Sequence, residues 1–313
     1  MTTITAALVK ELREKTGAGM MDCKTALVET KGAIEDAVDW LRKKGLSKAA
    51  KKADRIAADG LIGVISTGLV GAVVEVNSET DFVARNEQFQ DLVRKITSLA
   101  PKANGDLKAL LAATFPGGKL NVEETVKEAV ATIGENMNVR RTATIAVGDG
   151  VVAAYTHNKV ADGLGKIGVL VGLESKGDKA KLGELGRQLT LHVAAANPQA
   201  VSVEELDPAL VERERSVYSE QAKATGKSAE IASKMVEGRL RKEFFQQVVL
   251  MQQTFMGPGS DGKMTVEQVV KAATPGIGQP VTVTRFVRYA LGEGIDKKTD
   301  DFAAEVAAAV RGS

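Results

Sequence analysis

Apolar residues recur every three or four positions early in the chain: Ile4, Leu8 and Leu12, then Cys23, Ala26 and Leu27, then Ile34, Ala37, Val38 and Leu41. That period predicts three short amphipathic helices, punctuated by Gly17, Gly19 and Gly32. Three such helices can bury one small shared face, so this stretch is read as a miniature unit of its own. Basic residues crowd the next segment, Arg42, Lys43, Lys44, Lys48, Lys51, Lys52 and Arg55 against the single acid Asp54, and suggest a helical, basic linker. Beyond Gly60 the period changes. The runs LIGVIS and VGAVVEVN are rich in β-branched residues and divide at Gly68, as a hairpin would.

Helical spacing returns over 86–99 and 121–137, the second with Val122, Val126, Ala129, Val130 and Ile133 on one stripe. Strand patterns follow at RTATIAV, VVAAYT and IGVLVGLE, and a last one at VTVTRFV. Hairpins mixed with helices, without a regular strand-helix-strand repeat, predict an α+β fold and disfavour a doubly wound one. Asp207 before Pro208 starts a helix, and Gly226 with Ser228 stops and restarts it, so 207–224 and 228–246 read as a helical hairpin. Leu210, Val217 and Ala224 lie seven apart, a coiled-coil spacing whose outer face could pair with a second copy. A final helix is expected from Thr299, with Phe302, Val306 and Val310 on one face.

Composition narrows the function. At 313 residues the chain exceeds a usual domain of roughly 100–200 residues, so more than one folding unit is expected. Aromatics are scarce at 4%, too few for an extended base-stacking surface. The formal charge of +2, from 42 basic and 40 acidic residues, excludes a polycation acting on phosphate backbones as a whole molecule. One cysteine, Cys23, permits no intrachain disulfide, and two histidines make no zinc cluster of usual spacing. Lys10 and Glu11 interrupt the apolar run a signal peptide needs, and no stretch reaches the ~18 apolar residues of a membrane span. A cytoplasmic protein with no membrane contact is expected.

Several motifs invite chemistry and lose it on inspection. Gly163, Gly165 and Gly168 form a G-x-G-x-x-G, but they run into a strand, where a dinucleotide site needs a helix N-terminus. Gly226-Lys227-Ser228 resembles the end of a phosphate loop, yet Gln221 stands where its first glycine belongs. His157 and His192 lack an accompanying nucleophile pattern, and the carboxylates are spread along amphipathic helices. No enzyme activity and no cofactor are expected. The basic run 42–55 could meet RNA, but a solvated helix face is its ordinary explanation, and direct nucleic-acid binding is not expected.

The stretch from Glu75 to Arg85, EVNSETDFVAR, leaves a strand for a polar turn before a helix at Asn86, with Phe82 at the edge. By itself Phe82 reads as core, and Thr80 with Asp81 as an ordinary cap. These residues, however, resemble the Thr-Asp-Phe-Val signature of the bacterial translation elongation factor Ts family. The stretch LREKTGAGMMDCK, Leu12 to Lys24, resembles that family's N-terminal signature, and the likeness continues through IGENMNVRR, HVAA, KMVEGRLRK and GEGIDKKTDDFAAEVAA.

The resemblance implies an N-terminal three-helix domain like the ubiquitin-associated fold (1–55). It further implies a two-part α+β core with antiparallel sheets (56–148, then 149–196 with 246–293), an inserted helical hairpin for dimerisation (197–245) and a C-terminal helical module (294–313). It implies guanine nucleotide exchange on elongation factor Tu: Asp81 and Phe82, within Thr80–Val83, would wedge into the GTPase domain and disturb its magnesium site. Lys24, Lys52, Ile133, His157 and, more weakly, Met256 match further contact positions of that family.

Overall fold

The computed structural model describes residues 4–296, so the helix expected from Thr299 and most of the C-terminal module lie outside them. Three helices open the chain: α1 (Ala6–Thr16), α2 (Met20–Glu29) and α3 (Ile34–Ala50). Thr5 caps α1 by accepting from the Leu8 N–H, and Gly17 ends it in the left-handed region at φ 64°. Leu12, Cys23, Ala26, Leu27 and Ala37 form their shared interior. The basic run is not a separate linker: its first half lies within α3, which continues through Ala50. Helix α3 also leaves the miniature core. Ala49 joins the neighbouring core, and a methyl placed on Gly45 would lie 3.0 Å from the Ala131 methyl of a later helix.

Among the described residues, seven strands make two antiparallel sheets. The first has the order β3 (Met137–Ala146), β2 (Val70–Ser78), β1 (Asp59–Ser66) and β5 (Leu164–Gly165). The second has β4 (Gly150–His157), β6 (Ile167–Glu174) and β7 (Thr282–Ala290). The sheets pack face to face through Ile62, Val64, Val73, Ile145, Val147, Val152 and Leu170. Strand β1 is buried almost throughout because both its faces are covered, Leu61 pointing to the helices and Ile62 to the other sheet.

Helices cover the outer faces. On the first sheet lie α5 (Glu87–Ala103), α6 (Leu107–Ala112) and α7 (Val122–Ile133), around Phe89, Leu92, Ile96, Leu110 and Val126. On the second lie α8 (Lys179–Ala196) and α12 (Val266–Ile277), around Leu182, Leu189, Val193 and Val270. The α+β reading and the strands hold. Helix α5 runs past Leu99 and Pro101 because Ala100 and Ala103 are still buried. Helix α7 stops at Ile133, earlier than expected, because Gly134 turns left-handed at φ 95° and Met137 already belongs to β3.

The helical hairpin is α9 (Pro208–Lys223) and α10 (Ala229–Arg239), the latter continuing as a π-helical stretch Leu240–Phe245 and a last turn α11 (Gln246–Val248). Its seam is not the expected heptad. Leu210, Val211, Tyr218 and Ala222 pack against Ala232, Val236 and Leu240, whereas Val217 and Ala224 are exposed. The stripe lies one position later than Leu210 and Val217 predict: Val211, Tyr218 and Ala222, spaced seven and four, face α10, and Val217 falls on the neighbouring, solvent-facing position.

The glycine motif is packing, not phosphate binding. Gly163 makes a left-handed turn at φ 69°, and a methyl on Gly168 would lie 2.5 Å from Ile62 Cγ2 and 2.6 Å from Val64 Cγ2. Only glycine lets β6 approach the first sheet so closely.

Candidate functional site

Strand β2 delivers the chain to a four-residue helical turn, α4 (Asp81–Ala84). Val83 and Ala84 are buried in the first helix-sheet core, which anchors the turn. Phe82, just before these two anchored residues, is 75% exposed. It is not core, contrary to its reading in isolation. Fully burying a Phe side chain is worth ~1.5–3 kcal/mol, so a ring held in water on a fixed base keeps that energy for a partner.

Thr80 sits at the N-cap position of α4 but does not cap it. Its N–H donates to Glu135 Oε2 at 3.0 Å and its hydroxyl to Glu135 Oε1 at 2.6 Å, while the Ser78 hydroxyl donates to the Thr80 carbonyl at 3.0 Å. One carboxylate thus grips both donors of Thr80 from the loop after α7. Glu79 returns the contact by accepting the Asn136 N–H at 2.6 Å and Arg55 Nη1 at 3.5 Å. Asn136 then donates its amide to the carbonyls of Arg55, at 2.7 Å, and Ala53, at 3.3 Å. Lys52 Nζ donates to the Gly134 carbonyl, next to Ile133. The structure therefore gathers Thr80, Asp81, Phe82, Val83, Lys52 and Ile133 into one tip with a hydrogen-bonded collar.

The remaining residues lie on other elements. Lys24 is on the exposed side of α2 among Met20, Met21 and Val28, an apolar stripe with one cation in it. His157 is exposed at the end of β4, its Nδ1 3.0 Å from the Tyr155 hydroxyl. Met256 is exposed on the loop between α11 and α12, and its backbone N–H donates to Nδ1 of His192 at 3.2 Å. His192, fully buried on α8, has Nε2 2.9 Å from Gln253 Oε1 and stacks on Phe255 at 5.6 Å. Because Nδ1 accepts from Met256, the proton of the neutral ring is on Nε2 and is given to Gln253. Burial lowers the His192 pKa, opposed by the Gln253 hydrogen bond.

Sequence reasoning missed the supports: Glu79, Glu135 and Asn136 beneath the tip, and Gln253 beneath the Met256 loop. The signal lay in IGENMNVRR, where Glu135 and Asn136 interrupt an apolar pattern between a helix and a strand.

The basic run is largely occupied internally. Lys44 and Lys48 lie 3.3 and 2.8 Å from the Asp22 carboxylate, Lys52 holds Gly134, and Arg55 holds Glu79. The hydrogen bond from Lys48 holds the Asp22 carboxyl below its usual range, with burial opposing and Lys44 assisting. Cations committed this way are poor counterions for a phosphate backbone. Among the described residues no group of three or more His, Cys, Asp or Glu could hold a metal ion, and no helix is long and apolar enough to cross a membrane.

Comparison with known proteins gives the family of the chain. The family model "Elongation factor TS" matches residues 79–293, beginning one residue before Thr80. Over 312 residues, covering all of both chains, the sequence is 62% identical to elongation factor Ts of Parvibaculum lavamentivorans. It is 57% identical to that of Rhizobium etli over the same coverage, and 55% identical to that of Bartonella henselae over 311 residues, 99% of this chain and all of the relative. The chain belongs to the elongation factor Ts family. Elongation factor Ts is the nucleotide exchange factor for elongation factor Tu in translation elongation, and it works by binding rather than as an enzyme. As an elongation factor Ts the chain acts in the cytoplasm, where elongation takes place.

Proposed function

We propose that the Thr80–Val83 tip is the element with which this exchange factor opens the nucleotide site of elongation factor Tu. The observation that carries this reading is an exposed Phe82 fixed between buried Val83 and a Thr80 clamped by Glu135. Asp81 and Phe82 enter the GTPase domain as a wedge and disturb the groups around its magnesium ion, with Lys52 and Ile133 bordering the same contact. The Met20, Met21, Lys24 and Val28 stripe, His157 and the Met256 loop contact other parts of the partner.

Magnitudes favour such a distributed grip. A nucleotide held at nanomolar affinity is bound by ~12 kcal/mol, and thousand-fold faster release needs ~4 kcal/mol of differential stabilisation. One phenyl ring supplies ~1.5–3 kcal/mol of burial. Several surfaces must therefore fit the distorted GTPase better than its GDP-bound form. Linkage makes the effect reciprocal, so incoming nucleotide weakens the factor's hold by the same ratio.

Stopped-flow release of a fluorescent GDP analogue from elongation factor Tu tests the tip. Phe82→Ala is expected to lower the accelerated rate roughly ten- to hundredfold, the equivalent of losing one buried ring. An unchanged rate with a folded variant would remove Phe82 from the mechanism and leave the exchange activity standing.

Residues 1–55 form the ubiquitin-associated-like unit in this scheme, 56–148 and 149–196 with 246–293 the two core parts, and 197–245 a dimerisation insertion. The exposed Val217 and Ile231 on the hairpin support the last assignment. Sedimentation of wild type against a Val217→Glu, Ile231→Glu variant should show a concentration-dependent dimer only in the wild type. A wild-type monomer at all concentrations would exclude the dimer.

A further inference from the structure

Phe82 and its neighbours are the exposed end of a sequence whose other end is buried. Glu75, on β2 seven residues before Phe82, is completely inaccessible to solvent and accepts five hydrogen bonds from four donors. Arg140 Nη1 lies 3.1 and 3.3 Å from its two oxygens and Arg141 Nε lies 2.5 Å from Oε2. The Asn77 amide donates at 3.1 Å, and the Gly292 N–H donates at 2.8 Å.

Two consecutive arginines reach one carboxylate because the β2–β3 ladder is bulged there. Glu75 pairs with Arg141 but Val76 pairs with Val139, so Arg140 is the extra residue of β3. In a regular strand adjacent side chains point to opposite faces; a bulge re-aims one of them.

The same arginines hold the turn that follows β7. Arg140 Nη2 donates to the Glu293 carbonyl at 2.7 Å, and Arg141 Nη2 to the Ala290 carbonyl at 3.0 Å. The Arg141 guanidinium lies 4.1 Å from the centre of the Tyr289 ring, and Glu293 pairs with Arg141 and Arg288. Gly292 has φ 71°, and any side chain there would strike the Ala58 carbonyl. Asn77, on the same face of β2 as Glu75, also donates to the Asp59 carbonyl at 3.2 Å, and its buried Oδ1 meets no donor among the described residues.

We propose that Glu75 is a positioning residue for nucleotide exchange, fixing the end of β2, and with it the Phe82 tip, in register with the turn at 290–293. This rests on the reading of Phe82 given above. Stability alone does not explain the node, because well-packed apolar residues commonly replace a buried ion cluster without loss. Register does explain it: a one-residue slip of β2 would exchange its two faces and move the tip off Glu135. The carboxyl stays ionised, since burial, which would raise its pKa, is outweighed by the hydrogen bonds from Gly292, Arg141 and Asn77.

The test is GDP release from elongation factor Tu at increasing factor concentration, with Glu75→Gln made alone and together with Phe82→Ala. Glutamine keeps the shape and removes the charge. Glu75→Gln alone should lower the saturating rate roughly tenfold while leaving the half-saturating concentration within about twofold. Combined with Phe82→Ala it should add no further loss, because a displaced tip without its ring has nothing left to misplace. An equal fractional loss in both backgrounds would overturn the proposal, as would a change confined to the half-saturating concentration. If Phe82→Ala alone has no effect, the reading of the tip fails and the Glu75 role fails with it. Should Glu75→Gln not fold, Arg140→Gln, at the partly exposed edge of the node, is read by the same two criteria.

Discussion

Glu135 carries more of the tip's geometry than any residue within it, because it satisfies both the N–H and the hydroxyl of Thr80. Hydrogen bonds to a charged acceptor are worth ~1.5–3 kcal/mol, more than the exposed Asp81–Arg85 pair at 3.3 Å can add. Glu135→Ala is therefore expected to slow nucleotide exchange by roughly tenfold and to lower stability by ~1–3 kcal/mol, measured by stopped flow and urea unfolding. Exchange at the wild-type rate would show that the clamp is dispensable. His192 makes a second residue-scale prediction. Its folded pKa lies below the unfolded value, so below about pH 6.5 the unfolded chain takes up a proton that the folded chain refuses. Its contribution is complete above that pH and declines as the pH falls towards the folded pKa. Urea midpoints at pH 7.5 and 5.5 should differ more for wild type than for His192→Gln; equal differences would exclude His192 as the source.

At the scale of elements, what was legible in the sequence is what local periodicity encodes. Helices α1, α2 and α7, the β1–β2 hairpin and strand β6 follow from spacing and turn residues alone. Helix α6 shows no readable period because six residues are under two turns, and strand β5 none because two residues cannot show alternation. The hairpin seam lies one position off the periodicity because exposed and buried apolar positions on α9 look alike in sequence. Glycines in β6 were legible only as a motif to reject. The sheet contact gives Gly168 its positive role and a prediction: Gly168→Val, which suits strand propensity, should destabilise by ~1–3 kcal/mol or more through overpacking against Ile62 and Val64. Thermal unfolding measures it, and an unchanged midpoint would mean that the sheets can separate to admit the side chain.

For the whole molecule, the site residues divide by how far apart their partners lie. Thr80–Val83 could be named from one contiguous stretch, but the groups that hold them could not. Glu135 is 55 residues from Thr80, and Arg55 is 81 from the Asn136 side chain that it engages. Such contacts arise from how α3, β2 and the loop after α7 converge, which no short window records. Lys24, His157 and Met256 came from resemblance, and the fold leaves each on a separate element. The exposed ring at the summit also bears on how the protein behaves when alone. A phenyl group on a fixed mount would ordinarily adhere to any greasy surface in a crowded cell. Asp81 and Arg85, paired beside it, place a charge of each sign next to the ring. A surface without matching polar groups must strip water from both ions to reach the ring. The ion pair that adds little to the fold is thus a chaperone for its own neighbour, keeping an adhesive patch in solution until a surface of the right polarity arrives.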